Sequence, residues 1–165
     1  MPVITDANVL IDYADADITM LALYSEKIER VVIPSVILDE VNQLTHDDCL
    51  QYGFEVVDEE IELLSEASNA QHGPLSFQDK VCLYLAKSIG GITCITNEKA
   101  LLKFCDEDNI PTKRGLKLLL ELAELNHISK DEAIGVVYSI HECNPLHIHQ
   151  GVIDEFIRLL DEYNT

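Results

Sequence analysis

The run VVIP at residues 31–34 is apolar at every position and closes on proline. Such a strand has no polar face to turn to water, so it belongs in a parallel sheet covered on both sides. ITCIT at 92–96 reads as a second buried strand, with VIT at 3–5, FEVV at 54–57 and an extended piece, IPTKR, at 110–114. Helical stretches separate them. They run from Thr19 to Arg30, from a Ser35 cap through Leu44, from an Asp58 cap to Asn69, from a Ser76 cap to Ile89 and from Asn97 to Asp108. HDDCLQYG at 46–53 reads as a loop, and three helices follow at 116–126, 130–141 and 152–163. Strands alternating with helices predict an α/β sandwich on a central parallel sheet. With no repeat, low-complexity tract or composition break, residues 1–165 are expected to form one domain, its core over about 2–114 and a helical extension over about 116–165.

Thirty acids against 11 bases give a formal net charge of −19, which argues against loose, salt-dependent binding to nucleic acid by the surface as a whole. The bases are unevenly placed. Seven of them, Lys80, Lys87, Lys99, Lys103, Lys113, Arg114 and Lys117, share the 80–117 window with four acids, leaving that window at +3 and the remainder at −22. The five cysteines are widely spread with no C-x-x-C pair, which suits small buried side chains in a reducing cytoplasm. No apolar run approaches the roughly 20 residues of a membrane span, and Met1-Pro2-Val3 lacks a basic leader, so a cytoplasmic protein without a signal peptide is expected.

Ligands of open parallel sheets bind beyond the carboxyl ends of the strands. Asp6 stands at one such end and Glu98 at another. Helical spacing puts Glu40 on the edge of the stripe formed by Ile37, Val41 and Leu44, and Asp79 on the flank shared by Leu75, Cys82, Leu83 and Ala86. Each acid has an ordinary explanation by itself. Asp6 can cap a helix beginning at Ala7 or Asn8, Glu98 can be a first-turn acid favoured by the helix dipole, and the other two can lie at a waterline. Together they make a group of carboxylates that repel unless a cation joins them, and hard oxygen donors select Mg²⁺ or Mn²⁺.

In these segments the chain resembles the PIN-domain family of metal-dependent ribonucleases, which includes the toxins of VapBC-type toxin–antitoxin pairs. ITDANVLIDY is similar to the family's opening strand and first acid, and VVIPSVILDEV to its second strand and second acid. LSFQDKVCLYLAKSIG is similar to the helix of the third acid, and ITCITNEKAL to the T-N-D segment after the fourth strand. The resemblance covers about residues 2–114, and the extension resembles a subgroup that continues past the fifth strand. It implies a PIN-like three-layer α/β/α fold and an Mg²⁺- or Mn²⁺-dependent phosphodiesterase in which metal-activated water attacks phosphorus in line. By position, Asp6, Glu40 and Asp79 match the three central acids, Asn8 a residue supporting the first, and Thr96 the Thr of T-N-D. Glu98 stands in place of the final Asp, the main departure.

The function expected is therefore an endoribonuclease, toxin-like or stand-alone, with Asp6, Glu40, Asp79 and Glu98 holding metal. Lys99, Lys113 and Arg114 are expected to border the acids and hold RNA phosphates. The competing reading is a PIN-like interaction module that no longer cleaves, which the −19 charge and Glu98 favour. Expected partners are RNA, a cognate antitoxin for a toxin, and a second copy of the chain, with no membrane contact. HECNPLHIH offers His141, Cys143, His147 and His149, but Pro145 interrupts it and the spacing fits no closed zinc site, so surface histidines are the expectation. Ser65 and Ser76 lack the His and acid partners of a serine hydrolase.

Overall fold

The computed structural model describes residues 1–162. Five strands form one all-parallel sheet in the order β3-β2-β1-β4-β5. They are β1 (Val3–Thr5), β2 (Val31–Pro34), β3 (Glu55–Val57), β4 (Thr93–Ile95) and β5 (Thr112–Lys113). The apolar runs fill the middle of the sheet, with β1, β2 and β4 buried at every residue. The edges are short: β5 has two residues, and the Glu55 of β3 pairs with Arg30 at 2.7 Å.

The helices α1 (Ala7–Ala16), α2 (Ile18–Lys27), α3 (Ser35–Asp39), α4 (His46–Gln51), α5 (Ile61–Asn69), α6 (Phe77–Ile89) and α7 (Lys99–Glu107) surround the sheet. The extension adds α8 (Lys117–Glu124), α9 (Lys130–Cys143) and α10 (Gln150–Glu162), and α9 packs on α1. This is the expected PIN-like α/β/α arrangement. The expected last helix reaches Tyr163, which lies outside the described residues. Among the described residues no helix is long and apolar enough to cross a membrane.

Three local expectations are corrected. The helix from Ser35 stops at Asp39 instead of Leu44. Glu40 N–H bonds Ile37 O and Val41 N–H bonds Leu38 O, so the chain tightens into short-range turns that still bury Val41 and Leu44. The expected loop at 46–53 contains α4. Thr45 and Asp48 form a capping box, Asp48 N–H to Thr45 Oγ1 at 3.1 Å and Thr45 N–H to Asp48 Oδ2 at 2.9 Å. Neither Ser35 nor Asp58 is the cap expected of it. Glu59 instead accepts the Ser35 hydroxyl at 2.6 Å and Val36 N–H at 3.0 Å, an anion seated on the start of α3. Ser76 does cap α6, accepting Asp79 N–H at 3.1 Å. Of the cysteines, Cys49, Cys82, Cys94 and Cys105 are buried as expected, and Cys143 is exposed.

One polar knot joins the extension to the core. Glu121 of α8 pairs with Lys113 at 2.6 Å and accepts the Tyr24 hydroxyl at 2.7 Å, with side chains only 14 % and 28 % exposed for Glu121 and Lys113. Removing one member leaves the other charge largely desolvated. Glu121→Gln is expected to lower unfolding stability by about 2 kcal/mol, below the value for a fully buried pair because Lys113 keeps some water. Urea denaturation of the variant beside the parent measures it.

Candidate metal and nucleic-acid site

Strand order reverses between β1 and β4, since the chain builds outward through β2 and β3 and then returns to the far side of β1. Such a reversal leaves a crevice at the carboxyl ends of the two strands. Asp6 follows β1, and Thr96 to Glu98 follow β4, so both segments arrive at that crevice. Asp6 N–H bonds Ile95 O at 3.2 Å, extending the ladder to the acid.

Asp6 is fully buried, at 0 % exposure. Its Oδ1 accepts Val9 N–H at 2.9 Å, capping α1, and its Oδ2 accepts the Thr96 hydroxyl. Thr96 Oγ1 in turn accepts Glu98 N–H at 3.0 Å. Thr96 thus straps the first acid to the backbone of the fourth. Glu98 is also fixed through its side chain, with Oε1 accepting Asn8 Nδ2–H at 2.9 Å. The dipole explanation for Glu98 gives way here, because it occupies the N-cap position of α7 without a capping bond and turns its carboxylate to Asn8.

Burial raises the Asp6 carboxyl from 3.8 to about 7, with Asp79 and Glu98 adding repulsion and the bonds from Thr96 and Val9 opposing them. Burial also raises Asp79, helped by repulsion from Glu98 and opposed by Ser76. Asp6, Asp79 and Glu98 therefore share one electrostatic neighbourhood. Glu40 stands apart from it: it is exposed at the end of α3, and its Oε1 accepts Gln78 Nε2–H at 2.9 Å. Gln78 precedes Asp79 in α6.

The expected basic border divides. Lys113 is held inward by Glu121. It also donates to the Tyr24 hydroxyl at 3.3 Å. Lys99 and Arg114 are exposed and have no ion-pair partner among the described residues. Arg114 precedes Gly115, whose N–H bonds Asn97 Oδ1 at 3.0 Å and whose carbonyl accepts the Tyr13 hydroxyl at 2.6 Å. A Cβ at Gly115 would lie 3.3 Å from the Val9 methyls, so the close approach of this turn to α1 suits glycine. Asn97, Gln78 and Tyr13 were not singled out in the sequence. Only Asn97, inside T-N-E, carried a local signal.

Whether these residues suit a cation is decided by their chemistry. The donors are hard oxygens, and the charges acting on Asp6 from Asp79 and Glu98 are repulsive, a surplus that a divalent ion neutralises. As they stand, no three Asp, Glu, His or Cys side chains among the described residues close on a common point at ligand distance. The donor set fits a hard divalent cation in its chemistry, and holding one requires the side chains to move. The histidines of HECNPLHIH diverge: His141 bonds Ile148 O, while His147 lies towards Asp12.

The buried acid and the carboxylates around it thus lie at the topological switch point, where parallel α/β domains bind their ligands. A family model described as a PIN domain matches residues 2–162. The chain belongs to the PIN-domain family, whose members are generally nucleases and typically depend on a divalent metal. No curated protein and no solved structure matches it significantly.

Proposed function

We propose that the chain is an Mg²⁺- or Mn²⁺-dependent endoribonuclease, toxin-like or stand-alone. The observation that carries this reading is the wholly buried Asp6, raised to about 7 beside Asp79 and Glu98 at the switch point of a PIN fold. Asp6, Asp79 and Glu98 hold the metal, with Glu40 joining from the rim once Gln78 releases it. A bound divalent ion supplies Lewis acidity, acidifying water and drawing charge from the phosphate. Thr96 orients Asp6, and Asn8 orients Glu98. Lys99 and Arg114 hold the phosphates on either side of the cleaved one. RNA is the substrate, and a toxin would have a cognate antitoxin as partner.

The test is cleavage of a mixed-sequence RNA in Mn²⁺ and in EDTA. Cutting in Mn²⁺ alone is expected, and intact RNA in both overturns the reading. The competing reading, a module that binds partners without cleaving, rests on the Gln78–Glu40 bond that keeps the second acid at the rim. The same assay separates the two. A further expectation concerns the rim. In Ca²⁺, the double variant Lys99→Ala, Arg114→Ala should bind single-stranded RNA more weakly. Its log–log salt slope should be shallower by about 0.7 per lost phosphate contact. An unchanged slope means that RNA docks elsewhere.

A further inference from the structure

A cavity of about 460 Å³ opens beside the acid site, within the roughly 300–1,000 Å³ typical of small-molecule pockets. Glu98 is the wall common to both. The core contributes Asn8 and Asp12 from α1 and the segment Asn97 to Ala100, while the extension contributes Asn144 and His147. Asp12 lies four residues after Asn8 and so on the same helix face. It is 7 % exposed, and its Oδ1 accepts Asn144 Nδ2–H at 3.0 Å. That bond spans 132 residues and closes the extension over the pocket.

The bonds already made fix what the lining offers a ligand. A carboxylate only accepts, so Asn8 and Asn144 must present their NH₂ groups to Glu98 and Asp12. Their carbonyl oxygens are left as acceptors. Asn97 is oriented the other way, since its Oδ1 accepts Gly115 N–H, which leaves its NH₂ as a donor. Asp12 Oδ2 adds another acceptor with a full or partial negative charge. Lys99 and His147 supply donors at the mouth, where both are exposed. The pocket therefore has acceptors grouped around Asp12 and Asn144, with donors from Asn97, Lys99 and His147, the last lying towards Asp12.

Among the four bases, guanine alone carries two adjacent donors, N1–H and N2–H₂, next to an acceptor, O6. A carboxylate meets the paired donors with both geometry and charge. Adenine and cytosine each place a ring acceptor beside their amine, which would face Asp12 and be repelled. Uracil has a single N–H between two acceptors. We propose that this cavity receives a guanine base of the RNA next to the cleaved phosphate, with Asp12 and Asn144 reading its Watson–Crick edge. Lys99, at the mouth, meets the phosphate attached to that nucleotide. The inference rests on the ribonuclease reading for the place of the base in the substrate, whereas the recognition chemistry stands on the cavity alone.

The experiment has a binding arm and a cleavage arm. In the first, the parent is titrated with GMP, AMP, CMP and UMP in Mg²⁺ and read by NMR or calorimetry. GMP should bind at least about tenfold more tightly than the others, one such factor being 1.4 kcal/mol. Asp12→Asn places an NH₂ where guanine donates, and should remove the preference for GMP. His147→Ala, at an exposed position, should weaken GMP several-fold without unfolding the chain, so the inference stays open to refutation if Asp12→Asn fails to fold. In the second arm, cut sites on a mixed RNA should fall beside G in the parent and spread to other bases in Asp12→Asn. Equal binding of all four nucleotides overturns the guanine assignment. So do cuts with no base preference, and those would leave the ribonuclease reading intact. GMP selectivity without any RNA cleavage upholds the pocket and removes the nuclease.

Discussion

Asp79→Asn is expected to abolish Mn²⁺-dependent RNA cleavage, by at least roughly 10³-fold, while the fold is kept. The size follows from its position: loss of even an outer partner of a metal ligand costs about 10–100-fold, and Asp79 is proposed to touch the ion itself. The fold should survive because the cap at the start of α6 uses the Asp79 backbone N–H, donated to Ser76 Oγ, and Asn retains it. Without metal the variant should melt at a higher temperature than the parent. Burial and Glu98 both oppose the Asp79 charge, so an uncharged isostere relieves the folded state. With Mn²⁺ the order should reverse, since only the parent gains fully from binding. A variant that cuts RNA as fast as the parent would remove Asp79 from the ligands.

The metal-free protein is expected to lose stability as pH rises from about 4 to 7, and Asp6 supplies the slope. Its folded pKa of about 7 exceeds the ordinary 3.8, so the folded chain holds this proton more tightly than the unfolded chain does. The contribution is complete below 3.8 and is lost as pH climbs through 7. Three pKa units correspond to about 4 kcal/mol, an order-of-magnitude figure for one fully buried carboxyl. Mn²⁺ binds the charged form, so saturating metal should flatten the loss. The measurement is urea denaturation of the parent and of Asp6→Asn in EDTA between pH 4.5 and 8. The substituted chain should lack the Asp6 part of the slope. Parallel curves for the two proteins would show that Asp6 ionises as an ordinary surface acid.

The central sheet was legible because VVIP and ITCIT have no face to offer water. Such strands are hidden in a parallel sheet covered on both faces. Asp6, Thr96 and Glu98 were legible for a related reason, since residues just past buried parallel strands have nowhere to go but the crevice. Glu40 was read from a helix periodicity that ends at Asp39. Beyond that residue the turns set its direction, and those turns have no strong sequence mark. The Thr45–Asp48 capping box was visible in principle, but the polar residues around it suggested a loop. Lys113 meets Glu121 in the next helix and Tyr24 some 89 residues back, and the Asn144–Asp12 bond spans 132 residues. Spacing within one element says nothing about a contact that packing alone creates.

The borders of the sheet also govern how the molecule meets others. Both outer strands are stubs, one of two residues and one of three, and the longer carries an ion-paired glutamate. An exposed ladder of free amide groups is what recruits a foreign strand, and with it fibrillar growth. Edges this brief and this charged give an incoming strand little to zip against. Association through helices or loops is therefore favoured over pairing at a sheet edge. A fragment of extended peptide offered to the sheet should find no purchase there.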